Sequence, residues 1–180
     1  MRVLGICGSL QEKSGNLTLL RCALELAPPG VEVRLYDGLR ALPHFNPDLE
    51  HGLPPLAVSE LRQAVASSDA LLIAMPEYGH SLPGSLKNAV DWLISTGELE
   101  GKLVAITSAV PAAYRGRLGL AALRGTLGAV SAKVAFDAPI VRGPQFETEV
   151  SALLTVLLAA AKALQEPEAV AAGAPEHHRR

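Results

Sequence analysis

Short apolar runs return along this chain at regular intervals, and the stretches between them have the spacing of amphipathic helices. The runs occupy residues 3–7, 31–36, 70–75, 103–107 and 130–136. Between the first two runs, leucines recur at helical spacing at Leu17, Leu20 and Leu24. Three runs (VLGIC, ALLIAM and LVAIT) are apolar at nearly every position, as in parallel strands covered by helices on both faces. The alternation predicts an open, doubly wound α/β sheet with five strands and about five helices.

One domain accounts for most of the chain. A length of 180 residues suits a single domain, which we expect to cover residues 1–166. Because 49% of the residues are hydrophobic and 19% are charged, the composition is that of a compact core and excludes disorder for most of the chain. The last helix is predicted to begin near residue 147 and to stop before Pro167. Residues 167–180 are small and polar, and we expect a mobile tail there.

Charge and hydropathy argue against two classes of partner. A net charge of -2, with no basic block longer than Arg179 and Arg180, leaves no electrostatic footprint for nucleic acid. The most apolar helical stretch, residues 153–164, is well short of the ~20 residues that span a bilayer, so no membrane partner is expected. The first apolar run is also too short for a signal peptide, and we therefore expect a cytoplasmic protein with reduced cysteines.

The sequence predicts no metal centre. Cys7 and Cys22 have neither the CxxC spacing nor a zinc-site spacing. His44, Asp48 and His51 lie in a proline-rich crossover after the second strand, without the spacing of metal ligands. Any redox chemistry would therefore belong to an organic cofactor.

Ligands of such a sheet bind outside the carboxyl ends of the strands, where the winding direction reverses. The loops to consider follow the first, third and fourth runs, at residues 8–16, 76–85 and 108–116. The first of them leads from a buried strand into a helix, so its backbone amides and the helix N-terminus form an anion site. Ser9, Ser14 and Asn16 add side-chain donors there without adding net charge.

Several interpretations of this first loop compete. The Walker pattern GxxxxGK[ST] is absent, and so is the GxGxxG of dinucleotide sites, although Asp37, directly after the second run, is placed like the acidic residue of such sites. Cys7, Lys13 and Ser14 come close to the C-x5-R-[ST] loop of low-molecular-weight tyrosine phosphatases, but lysine cannot clamp a phosphate bidentately as arginine does. The hydroxyls also suit a mononucleotide phosphate, or Ser14 and Asn16 simply cap the helix. The loop alone does not decide between them.

The second loop is more specific. Residues 76–92 read PEYGHSLPGSLKNAVDW, which resembles the PEYN-x-S-x-PG-x-LKN-A-x-DW signature of the NADPH-dependent FMN reductase family. The first loop resembles that family's GSxRxxSxN, and the two motifs stand in the family's order on matching β-α junctions. The resemblance implies a flavodoxin-like three-layer sandwich, with a five-stranded parallel sheet in the order 2-1-3-4-5 and helices on both faces.

The resemblance also implies an activity. Family members, which include azoreductases and quinone and chromate reductases, pass hydride from NADPH or NADH through bound FMN to a small acceptor. The alternative on the same fold is a flavodoxin-like electron carrier without its own turnover, but such carriers are strongly acidic and this chain is nearly neutral. Members are usually homodimers or homotetramers, and Leu82, Trp92 and Leu93 are expected to supply the contact patch.

The candidate site residues follow from the motifs. The flavin-binding candidates are the polar residues of the first loop, the start of the second loop and the start of the third: Ser9, Gln11, Ser14, Asn16, Pro76, Glu77, Tyr78, Gly79, His80 and Ser108. The backbone of the second loop is expected to face the pyrimidine edge of the flavin, and Tyr78 to cover the ring. Tyr114, Arg115 and Arg117 are the candidates for NAD(P)H. No catalytic acid or base is expected, because the flavin carries the hydride chemistry.

The chain departs from the family pattern at three places. Gln11 stands where the family has arginine, so a charge-assisted contact to the FMN phosphate is missing and the tightness of FMN binding is open. Gly79 replaces the asparagine of PEYN, next to His80. Ala112 and Ala113 replace a glycine pair, which predicts a stiffer third loop.

Overall fold

The computed structural model describes residues 1–50 and 52–165, so His51 and the predicted tail at residues 167–180 lie outside the described residues. The strands are β1 (Arg2–Cys7), β2 (Glu32–Tyr36), β3 (Ala70–Ala74), β4 (Leu103–Val110) and β5 (Lys133–Val141). The helices are α1 (Gly15–Glu25), α2 (Leu56–Ala66), α3 (Gly84–Ile94), α4 (Arg117–Ala129) and α5 (Phe146–Gln165). The strands pair in parallel in the order β2-β1-β3-β4-β5, which confirms the predicted topology.

Helices cover both faces of the sheet, so the fold has three layers, as the continuous apolar runs predict. Val3, Leu72 and Ala105 point to one face and pack in a core with the buried sides of α1 and α5. Leu71 and Ile73 point to the opposite face and pack against α2, α3 and α4. In the described part of the chain, no helix is both long enough and apolar enough to cross a membrane.

The fifth strand is where the sequence-based prediction is wrong. The run at residues 130–136 starts in the turn that ends α4, and β5 itself extends to Val141. Because β5 is an edge strand, it tolerates the exposed Asp137 and also Pro139, and these residues interrupt the apolar pattern on which the prediction rests. The fourth strand is also longer than predicted, so Ser108 lies within β4 and the third loop is shortened to residues 111–116.

The helix after the second loop anchors the proline-rich crossover. The Asn88 side chain accepts a hydrogen bond from the Phe45 amide (2.7 Å) and donates one to the Pro43 carbonyl (2.9 Å). Trp92 Nε1 donates to the same carbonyl at 2.9 Å, and its ring meets Phe45 edge-on. Trp92 and Leu93 are both buried in the core, so the expectation that they form an exposed contact patch is wrong.

Candidate functional site

The first loop leaves β1 at the point where the winding of the sheet reverses, between β1 and β3. The Gly8 amide donates to the Ala74 carbonyl of β3 at 2.8 Å, which prolongs the pairing of the two strands. A Cβ at Gly8 would lie 2.7 Å from the Cβ of Met75, a distance that side chains do not tolerate. Glycine therefore allows the loop to turn this closely over the edge of the sheet.

Helix α1 begins at Gly15, directly after this loop. Ser14 is its N-cap, and the Ser14 hydroxyl accepts a hydrogen bond from the Asn16 amide at 3.2 Å. Asn16 is buried, and its side-chain oxygen accepts a hydrogen bond from the Ala109 amide of β4 at 2.9 Å. The capping interpretation therefore holds for Ser14, and Asn16 ties the helix to the sheet. The other first-turn amides, of Gly15 and Leu17, have no acceptor within the helix and lie at the positive end of its dipole, so they remain suited to an anion.

The surroundings of Cys7 and Lys13 test the phosphatase interpretation of the first loop. Burial is the main reason that the pKa of the Cys7 thiol is raised, against smaller lowering effects of hydrogen bonds from Ser9 and Ser14. A phosphatase nucleophile needs the opposite shift, because the thiolate is the reactive form. Lys13, in the arginine position of that motif, is exposed. Both observations argue against a phosphatase nucleophile at Cys7.

The second loop is a tight hairpin that projects from the end of β3. The amides and carbonyls of Tyr78 and Ser81 exchange hydrogen bonds of 3.1 and 3.0 Å around a two-residue turn. Gly79 and His80 both have left-handed backbones, with φ of 57° and 62°, as a type I′ hairpin requires. Tyr78 is 58% exposed beside this turn, so its ring is free to cover a ligand. The hairpin holds its backbone rigidly at the carboxyl edge of the sheet.

Glu77 fixes the hairpin to α4. Its Oε2 accepts a hydrogen bond from the Gly119 amide at 2.8 Å, and its Oε1 lies 3.4 Å from Nδ1 of His80. The Gly119 hydrogen bond is the largest cause of the lowered pKa of Glu77, and His80 adds to it. A Cβ at Gly119 would lie 3.1 Å from the Glu77 Cβ and 3.1 Å from the Ser81 carbonyl oxygen, so glycine allows this close approach. The Glu77 carboxylate is thus engaged within the protein, and its backbone is what remains for a ligand.

The third loop brings the NAD(P)H candidates to the same edge. Tyr114 is 74% exposed, and the Arg115 guanidinium lies 5.8 Å from the centre of its ring. Arg117 Nε donates to the Ala113 carbonyl at 2.9 Å, which commits part of that side chain to the loop. Ser108 is buried, with its Oγ 3.1 Å from the position that a Cβ of Gly116 would occupy.

Arg142 is a further basic residue at this edge that sequence reasoning missed. It directly follows β5, and its amide donates to the Val110 carbonyl at 2.8 Å. Its Cδ and Nη1 lie 3.4 and 3.7 Å from the position of a Cβ on Gly15, the first residue of α1. The available signal was a basic residue at the carboxyl end of a strand, which a correct end for β5 would have revealed.

Fold and site together define a flavodoxin-like α/β protein whose ligand edge is built by the loops after β1, β3 and β4. The model of the NADPH-dependent FMN reductase family matches residues 1–149, and the chain belongs to this family.

Relatives of known sequence agree with this assignment. The chain is 42% identical over 124 residues to a NAD(P)H-dependent FMN reductase of Pseudomonas aeruginosa, a match that covers 67% of this chain and 64% of that protein. It is 33% identical over 143 residues to a quinone reductase of Pseudomonas putida, with coverage of 78% and 73%. A match at 41% identity to a NAD(P)H:quinone oxidoreductase of Solanum tuberosum covers 51% of this chain and 49% of the relative. The chain therefore spans less than two thirds of the Pseudomonas aeruginosa and Solanum tuberosum relatives.

Solved structures show the same fold. The flavoenzyme NAD(P)H:(acceptor) oxidoreductase FerB of Paracoccus denitrificans superposes with a TM-score of 0.70 at 25% identity, covering 88% of this chain and 97% of that one. The azoreductase AzrA superposes with a TM-score of 0.56 over 91% of this chain, and at 17% identity it shows the fold alone.

Proposed function

We propose that this protein is an FMN-dependent NAD(P)H oxidoreductase that reduces a small acceptor such as a quinone, a free flavin or an azo compound. One observation carries the proposal: the first loop, which ends at the α1 N-cap Ser14, and the hairpin at Tyr78 follow the adjacent strands β1 and β3, where the winding reverses. The names of the relatives, NAD(P)H-dependent FMN reductase and quinone reductase, support the same chemistry.

The donor set of the first loop fits the FMN phosphate. Ser9 and Ser14 supply hydroxyl protons, Gln11 an amide, and the first turn of α1 supplies backbone amides at its positive end. Asn16 keeps its side-chain amino group as a donor while its oxygen binds β4. A phosphate monoester is a strong acceptor of several hydrogen bonds, so neutral donors of this kind are suited to it.

The hairpin fits the flavin ring. Pro76 and the turn at Gly79 and His80 restrict the backbone between Glu77 and His80, so its amides and carbonyls are presented without a large loss of entropy. Tyr78 provides an aromatic surface for the isoalloxazine. Bound FMN would supply the hydride transfer, and these residues bind and orient it. Ser108 is assigned to the inner wall of the site, because it is buried beneath the third loop.

The third loop is proposed to bind NAD(P)H. Arg115 is exposed and stacks on Tyr114, so its guanidinium is preorganised at the mouth of the site. Arg117 lies two residues further along the chain, as the first residue of α4, and is exposed. Both arginines suit the 2′-phosphate of NADPH, which NADH lacks.

We also propose a homodimer or homotetramer in the cytoplasm. On α3, Ile94 is 54% exposed, and it takes the place of the buried Trp92 and Leu93 as the apolar contact on that helix. Both Cys7 and Cys22 are free, which is consistent with a reducing compartment. Light scattering coupled to gel filtration measures the assembly, and a monomer at micromolar concentration would contradict this part of the proposal.

The test of the function is a flavin titration followed by turnover measurements. The purified protein is titrated with FMN, its visible spectrum is recorded, and oxidation of NADPH and of NADH is followed with and without a benzoquinone. We expect saturable FMN binding and quinone-dependent oxidation of at least one nucleotide. A protein that binds no FMN and oxidises neither nucleotide would refute the proposal, and FMN binding without turnover would favour the electron carrier.

A further inference from the structure

The first loop carries almost no net charge with which to meet a phosphate dianion. Between Gly8 and Ser14 the charged residues are Glu12 and Lys13, which cancel. Gln11 is neutral, and the start of α1 contributes about half a positive charge. A phosphate monoester carries about 1.5 to 2 negative charges at neutral pH, so the loop by itself leaves most of that charge uncompensated.

Two arginines from other elements reach this region, and they differ in how they are engaged. Arg40, on the β2 side, donates through Nη2 to the Leu10 carbonyl at 2.5 Å and thereby braces the loop. Arg142, on the β5 side, lies with Cδ and Nη1 within 3.4 and 3.7 Å of the Cβ position of Gly15. No ion pair of Arg142 occurs within residues 1–50 and 52–165. Its guanidinium therefore keeps its donors and its charge available beside the first turn of α1.

We infer that Arg142 is the cationic residue that binds the 5′-phosphate of FMN in this protein, supplied from β5 instead of from the first loop. The inference rests on the proposed function. The Arg142 side chain lies at van der Waals distance from the Cβ position of Gly15, which places its guanidinium beside the start of α1. A guanidinium binds phosphate through two parallel charge-assisted hydrogen bonds, and it adds the positive charge that the hydroxyls and amides of the loop lack.

The experiment compares FMN with riboflavin, which has the same ring and ribityl chain but no phosphate. Dissociation constants are measured by flavin fluorescence for the wild type, Arg142→Gln, Arg142→Lys and the control Lys133→Gln. Lys133 is the first residue of β5, at the opposite end of the strand from Arg142, and it is exposed, so Lys133→Gln removes the same charge far from the first loop. We expect Arg142→Gln to raise the Kd for FMN about tenfold or more, and Arg142→Lys to raise it less. The Kd for riboflavin should stay the same in every variant.

A rescue and a salt series complete the test. Adding Gln11→Arg to Arg142→Gln should restore FMN affinity, because a cation returns to the loop. The Kd of the wild type for FMN should rise with ionic strength more steeply than that of Arg142→Gln. If the wild type binds FMN and Arg142→Gln binds it equally well, the inference is wrong and the proposed function stands. A second outcome is that Arg142→Gln leaves the Kd for FMN unchanged and raises the KM for NADPH but not the KM for NADH. Arg142 would then bind the 2′-phosphate of NADPH, and the inference would also be wrong. A wild type that binds no FMN overturns both proposals.

Discussion

Replacing Glu77 tests whether the hairpin of the candidate flavin site depends on its attachment to α4. The Gly119 amide that donates to Glu77 Oε2 at 2.8 Å belongs to the first turn of α4, where the helix dipole also favours a carboxylate. A hydrogen bond to a charged group contributes about 1.5–3 kcal/mol, and one between neutral groups about 1 kcal/mol. We therefore expect Glu77→Gln to lower the free energy of unfolding by about 1 kcal/mol and Glu77→Ala by about 2 kcal/mol. The contact between Glu77 and His80 adds little to this stabilisation, because the His80 side chain is 78% exposed.

The effect should depend on pH in a defined direction. The Gly119 hydrogen bond is the main reason that the pKa of Glu77 lies below its ordinary value. A carboxyl group whose folded-state pKa is depressed stabilises the fold fully above the unfolded-state pKa, and the stabilisation is lost as the pH falls through the folded-state pKa. The difference in the free energy of unfolding between the wild type and Glu77→Gln should therefore be largest at neutral pH and should decrease below about pH 4.

Urea denaturation at pH 7 and pH 3, followed by far-UV circular dichroism, measures both effects. Glu60→Gln is the matched control, because Glu60 is exposed on α2 and far from the hairpin in sequence. Both Glu77 variants should also weaken the binding of FMN and of riboflavin to the same extent, because the hairpin is proposed to contact the flavin ring and not the phosphate. Two results would show that the role given to the Glu77–Gly119 hydrogen bond is wrong. One is a Glu77→Ala protein as stable as the wild type, and the other is a loss of unfolding free energy in Glu77→Gln that is equal at both pH values.

Three further substitutions test other parts of the structure. Asn88→Ala should lower the free energy of unfolding by about 2 kcal/mol in urea, because the Phe45 amide and the Pro43 carbonyl lose their partner; an unchanged midpoint would contradict this role. His80→Gly should raise the melting temperature by about 2–4 °C, since a left-handed histidine costs about 1 kcal/mol, and a lower melting temperature would contradict it. Cys7→Ser should keep its NAD(P)H oxidation, whereas lost hydrolysis of a phosphate ester in that variant would support the phosphatase interpretation.

The sequence predicted the parts of the fold that depend on local patterns. The apolar runs at β1, β3 and β4 identified buried parallel strands, because strands covered on both faces need apolar residues at every position. The motifs after β1 and β3 located the loops of the candidate site and the family. Local patterns failed at β5, since an edge strand is not covered in this way and tolerates Asp137 and Pro139.

The packing of distant elements determines which side chains of the motifs are available to a ligand and which are already engaged within the protein. Trp92 is in the core, and Glu77 is tied to Gly119, although both belong to a motif that the sequence marks as functional. Arg142 follows the edge strand β5 and lies beside Gly15 at the start of α1, although no rule of sequence spacing links the two positions. Periodicity and motif spacing describe neighbours along the chain, whereas these contacts arise from the packing of elements that are distant in sequence. The chain thus specifies its fold and the position of its ligand edge locally, and the charge balance at that edge is set only when β5 and α1 come together.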